Sequence, residues 1–163
     1  MTTFSHFDSP LGPLVLAGED GALVRLGFAG TPIDPSWRHD DASLAEVRAQ
    51  LAAYFAGELR DFDLRLAAHG TPFEEGVWDA LCRIPYGTTV SYSELAVTIG
   101  APRGARAVGQ ANGRNPIAII VPCHRVIASG GGLGGYGGGL PAKRLLLDLE
   151  NRVAVPRHAF ALA

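Results

Sequence analysis

Apolar and polar positions along this chain change rhythm near residue 70. Before it, apolar stretches are short and broken by turn formers. Phe4-Ser5-His6-Phe7 runs into Ser9-Pro10-Leu11-Gly12-Pro13. Leu14-Val15-Leu16-Ala17 comes next, and Glu19-Asp20-Gly21 separates it from Leu23-Val24-Arg25-Leu26-Gly27-Phe28. Short apolar runs punctuated by Gly, Pro and Asp predict a meander of hairpins. Residues 30–42, rich in Pro and Asp, read as loop. Ser43-x-x-Glu46 has the form of a capping box, in which each side chain satisfies a free N–H at a helix start. Leu44, Val47, Leu51 and Tyr54/Phe55 then share one helical face, and Gly57 ends it. From Asp61 to Leu66 polar and apolar positions alternate (Phe62, Leu64, Leu66), the pattern of one more strand. His69-Gly70 marks a boundary between halves.

The second half reads as short helices. Thr71-Pro72-x-Glu74 combines an N-cap, a proline at the first helical position and a capping-box acid. Phe73, Val77, Leu81 and Ile84 line one face, and Pro85-Tyr86-Gly87 stops the helix. Ser91-x-x-Glu94 is a third capping box and opens a helix to Ile99. Gly100-Ala101-Pro102 breaks the chain before a second short helix, from about Gly104 to Asn112, closed by Gly113. This pair has the outline of a helix-turn-helix, an outline that many core helix pairs share. The apolar run Ile117–Val121 leads into Pro122-Cys123-His124-Arg125. In the stretch Ser129–Gly139, 8 of 11 residues are glycine. A last helix starts near Pro141, with Leu145, Leu146 and Leu149 on one side, and Val153–Ala163 reads as a loose tail.

Composition narrows the function. With 163 residues and 47% apolar content the chain has material for a core. Two cysteines, Cys82 and Cys123, make neither a disulfide framework nor a complete four-cysteine metal site. The histidines lack ligand spacing, so no metal is expected. No apolar run is long enough to span a bilayer, and Met1-Thr2-Thr3 opens no signal peptide. A reducing, cytoplasmic setting is therefore expected. The net charge of −2 argues against a general nucleic-acid coat, but it is an average. Residues 1–70 hold 5 basic and 10 acidic side chains, and residues 71–163 hold 9 and 6. No acid occurs between Glu94 and Asp148, a window containing Arg103, Arg106, Arg114, Arg125, Lys143 and Arg144. Such a segment fits either a polyanion dock or a solvated face balanced by acids elsewhere in the fold.

Cys123 is the candidate reagent. It ends an apolar run, sits beside His124 and Arg125, and precedes the glycine tract. Positive charge and N–H donors lower a thiol pKa, and His124 is placed to accept the proton directly or through water. The competing reading is a buried, inert cysteine. Cys82, mid-helix beside the apolar face, reads as structural. The glycine tract is either a flexible linker or a loop whose backbone approaches a ligand. It lacks the Lys and Ser/Thr of a phosphate-binding loop. In the helix Gly104–Gly113 the residues Ala105, Ala107, Gly109, Ala111 and Gly113 are small, while Arg103, Arg106 and Arg114 are long and cationic. That combination suits close approach to a nucleic-acid groove, or to another helix.

Val121-Pro122-Cys123-His124-Arg125-Val126 resembles the active-site motif of the O6-alkylguanine-DNA alkyltransferases, or methylated-DNA–protein-cysteine methyltransferases. The resemblance extends over residues 71–151. It takes in Phe73-x-x-x-Val77-Trp78, Ile84-Pro85-Tyr86-Gly87, Ser91-Tyr92, Ala105-Arg106-Ala107-Val108-Gly109, Asn115-Pro116 and Gly135-Tyr136-Gly137-Gly138-Gly139-Leu140. It implies an α/β (α+β) chain: a ribonuclease-H-like strand-and-helix domain over 1–70, a mostly helical alkyltransferase and DNA-binding domain over 71–152 with a helix-turn-helix, and a tail over 153–163.

The resemblance also implies roles. Cys123 is the nucleophile, His124 its base through water, Glu150 the acid that orients His124, and Tyr92 the proton donor to the leaving guanine. Arg106 fills the stack behind a flipped base, and Ala105, Gly109, Arg103, Arg114 and Tyr92 face DNA in the minor groove. Asn115 links the DNA-binding helix to the active-site loop, and Val126, Tyr136 and Gly137 hold the base. Gly137 stands where some members have serine. The implied activity is direct reversal of O6-alkylguanine, and also O4-alkylthymine, damage in duplex DNA. One alkyl group passes irreversibly to Cys123, without cofactor, in a protein monomeric in solution, with assembly on DNA left open. The alternative is a damage-sensing module that binds without transfer; relatives of that kind carry tryptophan at the nucleophile position. A thiol hydrolase ranks last, since no acyl pocket is visible.

Overall fold

The N-terminal meander forms as its turn residues require. β1 (Thr2–Ser9), β2 (Gly12–Glu19) and β3 (Ala22–Gly27) pair antiparallel in succession, with β2 central. The structure is a computed structural model that describes residues 1–155. Asp20 and Gly21 both take positive φ (51° and 77°), which the β2–β3 turn requires and which Gly accepts without strain. A short strand within the expected loop, β4 (Arg38–His39), adds to β1 in parallel and completes the order β3-β2-β1-β4.

Two expectations for this half are corrected. The Ser43 capping box does not form. Ala42–Leu44 is a 3₁₀ turn, and the Ser43 hydroxyl is engaged with Thr3 Oγ1 (2.9 Å) and the Asp40 carbonyl (3.1 Å). α1 (Ala45–Phe55) starts without a side-chain cap. The stretch Asp61–Leu66 is not a strand, although its alternation is real: Phe62, Leu64 and Leu66 are half-buried and the residues between them exposed. The reason lies at the open edge of β3. Leu23 takes two hydrogen bonds there with Arg65 and Ala67, and Leu26 takes two with Pro116 and Ala118. The edge is shared between two segments, so neither extends into a ladder.

In the second half both remaining capping boxes are present. Thr71 caps α2 (Pro72–Leu81) and Ser91 caps α3 (Tyr92–Thr98), each with its reciprocal glutamate bond. α2 ends four residues before Pro85, because Cys82 and Arg83 already turn the chain. Ala101 N–H to Ala96 O and Gly100 N–H to Val97 O close α3 in a Schellman arrangement, with Gly100 at φ 81°. α4 (Ala105–Gly113) then packs on α2 and α3. β5 (Val90–Ser91) and β6 (Val126–Ile127) form a small parallel pair that the sequence pattern does not reveal. α5 (Leu140–Ala154) runs past residue 152, so Val153 and Ala154 are helix rather than tail. Residues 156–163 of the expected tail lie outside the described residues.

The mixed α/β reading, strands first and helices after, holds. One buried apolar cluster runs from Leu14 and Leu51 through Leu81, Val108 and Ile119 to Leu149, so the two halves share a core. Trp78 ties α2 to α4 by donating its indole N–H to the Ala111 carbonyl at 2.9 Å. Removing a reciprocal cap leaves helix-start N–H groups unsatisfied. Thr71→Ala and Ser91→Ala should each lower unfolding free energy by about 1 kcal/mol, read from the urea midpoint at unchanged m-value.

Candidate active site

The segment carrying Cys123 is held in a tight, irregular path. Ile119 adopts φ 72°, a conformation that a β-branched residue takes only when its surroundings enforce it. Ile119 is almost fully buried, and Ile117 and Val121 close the turn around it at 3.0 Å. The end of α4 pins the segment on both sides of Pro122. Asn115 Nδ2 donates to the Val121 carbonyl (2.7 Å), Asn115 Oδ1 accepts from Ile117 N–H (3.0 Å), and Asn112 Nδ2 donates to the Cys123 carbonyl (3.3 Å). Cys123 opens a 3₁₀ turn, Cys123–Arg125, and lines the floor of a cleft of about 800 Å³.

Three parts of the chain wall that cleft. Residues 25–31, at the end of β3, form one side. Tyr92, Gly109, Asn112 and Asn115 form another, and Gly135–Gly137 with Tyr136 the third. Of the residues expected to hold a base, Tyr136 and Gly137 line the cleft and Val126 does not: its side chain is buried in the core and its carbonyl accepts from Lys143 Nζ at 2.6 Å. The glycine tract is not a loose linker. Lys143, fully buried, donates to the carbonyls of Val126, Leu133 and Gly135, which satisfies its three N–H groups and folds the tract around them. Two glycines are sterically required. A Cβ at Gly134 (φ 73°) would fall 3.1 Å from the Tyr92 hydroxyl, and one at Gly138 would fall 2.7 Å from the Phe28 ring, which itself packs edge-on against Tyr136.

Behind Cys123 lies a charged cluster closed off from water. Glu150 Oε2 accepts from His124 Nε2 (2.7 Å), Tyr54 Oη (2.6 Å) and Arg125 Nη2 (3.0 Å), while Oε1 accepts from Arg125 Nε (2.8 Å). Arg125 spends its remaining capacity on the Ile84 carbonyl (2.7 Å) and the face of Tyr86 (5.5 Å to the centroid). Burial alone would raise the Glu150 pKa, but the hydrogen bonds and charges of His124 and Arg125 outweigh it and hold the carboxyl at about 2. An ionised carboxylate only accepts, so the imidazole hydrogen sits on Nε2. His124 Nδ1, buried and without a hydrogen-bond partner among the described residues, is left with its lone pair. Burial holds His124 below its ordinary pKa, against the pull of Glu150.

The thiol departs from expectation. Burial pushes the Cys123 pKa up, and Asn115, Lys143 and Tyr136 oppose the shift without cancelling it. Arg125, the neighbour expected to lower it, is committed to Glu150. The resting pair is a neutral thiol beside a neutral imidazole. Tyr92, at the first turn of α3, has its pKa raised by burial and then by Cys123, so it keeps its proton at neutral pH.

The expected basic surface is smaller than the sequence count. Arg125 and Lys143 are internal, while Arg103, Arg106 and Arg114 are exposed. Arg114 reaches Glu74 at 3.5 Å. Arg106 stands one turn before Gly109 on α4, and Ala105 is half-buried at the start of that helix. Cys82, expected as structural, lies exposed at the end of α2. Sequence reading passed over Tyr54, Asn112, Lys143 and Phe28. For two of them a signal exists: Tyr54 and Lys143 put polar groups on the buried faces of predicted helices, where each must find a partner.

Acid should unfold this cluster in two stages. His124 is held below the unfolded value near 6.5, so protonation favours the unfolded chain as pH falls below that value. Glu150 is held at about 2 against an ordinary 4.5, so its contribution is present above 4.5 and is lost as pH falls from there toward 2. Urea unfolding measured across pH should show both losses. Glu150→Gln, which strips Arg125 of its partner, should cost roughly 3–5 kcal/mol at neutral pH and flatten the lower stage.

Known proteins share this arrangement of domains. Residues 72–152 match the 6-O-methylguanine DNA methyltransferase DNA-binding domain, and residues 3–68 match the ribonuclease-like domain of the same proteins. The methylated-DNA–protein-cysteine methyltransferase of Mycobacterium tuberculosis is 54% identical over 153 residues, 92% of this chain and 93% of that one. Its counterpart in Methanosarcina barkeri is 52% identical over 151 residues, covering 90% and 96%. Among solved structures, Mycobacterium tuberculosis OGT in complex with DNA superposes with a TM-score of 0.89 at 50% identity, covering 99% of each chain. The Pyrococcus kodakaraensis O6-methylguanine-DNA methyltransferase gives 0.65 at 26% identity, covering 92% of this chain and 99% of that one. With both domains matched in order and relatives more than half identical across nine-tenths of its length, this chain belongs to the 6-O-methylguanine DNA methyltransferase family.

Proposed function

We propose that this protein repairs O6-alkylguanine, and O4-alkylthymine, in duplex DNA by moving the alkyl group once and irreversibly onto Cys123. The observation that carries the reading is the arrangement at the cleft floor. A thiol lines the cleft, and in the same 3₁₀ turn stands a neutral imidazole whose Nε2 is held by a carboxylate while Nδ1 has no partner among the described residues. The relatives' names and the DNA-bound relative support the substrate class.

In the reaction His124 Nδ1 takes the Cys123 proton through water. The thiolate attacks the alkyl carbon, the carbon–oxygen bond breaks, and its electrons stay on the base. Tyr92 donates a proton to the departing guanine and recovers one from the imidazolium through solvent. A guanine anion leaves poorly, so a retained phenol proton lowers the barrier. The product is a thioether, which has no carbonyl for water to attack, so the protein stays alkylated. The reaction uses no cofactor, because substrate and protein supply both partners.

Reaching the atom requires flipping the nucleotide. We assign α4 to the minor groove, with Arg106 filling the stack and Arg103 and Arg114 toward phosphates. Gly109 supports this: a Cβ there would meet only Tyr92, at an ordinary 3.7 Å, so internal packing does not demand glycine, and a helix surface this bare suits close approach to a groove. Asn115 couples α4 to the Cys123 turn, while Tyr136 and Gly137 hold the base. We read the protein as a cytoplasmic monomer; among the described residues no helix is long and apolar enough to cross a membrane.

Incubation with O6-methylguanine duplex should place one methyl group on Cys123 in the tryptic peptide, and Cys123→Ala should leave the lesion intact. Tight binding with an unmodified Cys123 would instead identify a damage sensor. Arg106→Ala should slow transfer from duplex by about tenfold or more, the scale of a lost flipping contribution of a few kcal/mol. It should leave reaction with the free alkylated base unchanged.

A further inference from the structure

α1 belongs to the N-terminal half, yet one of its side chains ends in the centre of the catalytic cluster. Tyr54 is fully buried, and its hydroxyl donates to Glu150 Oε2 at 2.6 Å. The same oxygen takes His124 at 2.7 Å and Arg125 Nη2 at 3.0 Å. The Tyr54 ring is fixed by aromatic contacts with Phe55, Phe62 and Tyr86. Burial, and then the Glu150 charge, keep the phenol protonated, so toward the carboxylate it acts as the donor.

We propose that Tyr54 is a positioning residue for alkyl transfer: its hydroxyl fixes the orientation of Glu150 and draws electron density from Oε2, which holds His124 by Nε2 and leaves Nδ1 available for the thiol proton. The proposal rests on the alkyl-transfer reading above. The groups facing the imidazole carry it. Arg125, in the same turn, and Lys143, from α5, oppose a charge on His124, and only Glu150 favours one. The basicity of Oε2 is therefore the lever on His124, and Tyr54 is the neutral donor acting on that oxygen. Without the hydroxyl, Oε2 holds a localised charge against the imidazole hydrogen. The imidazolium becomes easier to form, and the carboxylate loses the contact that fixes its torsion. The thiol end is faced by Asn115, Lys143, Tyr136 and Tyr92, none of which touches Tyr54 by hydrogen bond.

The test is a single-turnover methyl-transfer rate, measured from pH 5 to 9 at saturating O6-methylguanine duplex, on the full chain. Tyr54→Phe keeps the ring and its packing. It should cut the rate about tenfold, the scale of one hydrogen bond to a charged group, and move the acid limb of the profile to higher pH. Duplex affinity should not change. The His124 ring, followed by NMR in the free protein, should titrate higher in the variant. Replacing Tyr54 by 3,5-difluorotyrosine, a stronger donor of nearly the same shape, should move the limb and the titration the other way. Phe62→Leu, a packing neighbour with no contact to Glu150, controls for lost stability and should keep the wild-type pH profile. A Tyr54→Phe rate equal to wild type, or one lowered evenly at every pH with His124 titrating unchanged, overturns the proposal and leaves the alkyl-transfer reading standing. A wild-type protein that never alkylates Cys123 overturns both.

Discussion

A carboxylate leaves water only when its lone pairs are filled, and that requirement at Glu150 organises much of this molecule. Its two oxygens accept four hydrogen bonds from three side chains, drawn from α1 and from the 3₁₀ turn that carries Cys123. Arg125 must be satisfied in turn, and it recruits the Ile84 carbonyl and the Tyr86 ring from the segment after α2. The cluster is costly to bury and very costly to break in part. Its members are therefore held to one arrangement, and the orientation of His124 is a consequence of that arrangement.

The same constraint explains why the N-terminal half is more than an attachment. Its sheet edge at Leu26 clamps Pro116 and Ala118, just ahead of the strained Ile119 turn. Phe28 closes over Gly138 and Tyr136, and Tyr54 enters the Glu150 cluster. From the other side, Lys143 gathers three carbonyls of the Val126–Gly135 stretch. A tract so rich in glycine loses much conformational freedom on ordering. A buried ammonium with all its donors satisfied supplies a fixed point around which that ordering is defined.

What could be read in the sequence divides along the range of the interactions involved. The caps at Thr71 and Ser91 are local, three residues from donor to acceptor, and both form as their spacing predicts. Ser43 has the same spacing, but Thr3 of β1 and Asp40, just past β4, take its hydroxyl. The alternation over Asp61–Leu66 reports correctly which side chains turn inward. It does not make a strand, because pairing depends on what else occupies the β3 edge. At the site, the Cys123-His124 dipeptide and its setting are visible at once. The direction of the thiol's pKa is not, because burial is a property of the assembled fold and outweighs the neighbouring charges. For the same reason Arg125 and Lys143, counted among surface cations, prove to be internal struts.

The resting chemistry that results suits a reagent used once. A surface thiolate would react with any soluble electrophile or oxidant, since the thiolate is the reactive form. Here burial keeps Cys123 protonated and His124 uncharged, so in the proposed reaction the nucleophile does not exist until a proton moves between them. That move creates a charge pair in a poorly solvated cleft, which is unfavourable until an alkylated base is present to receive the negative charge. Tyr92, held protonated at the cleft wall, is in the proposed reaction the source of the hydrogen that the departing base needs. On that reading, selectivity for a bound, flipped substrate comes from where charge is allowed to appear. In the proposed complex the arginines on and beside α4 bring DNA near, while the neutral floor of the cleft withholds reactivity until the right base occupies it.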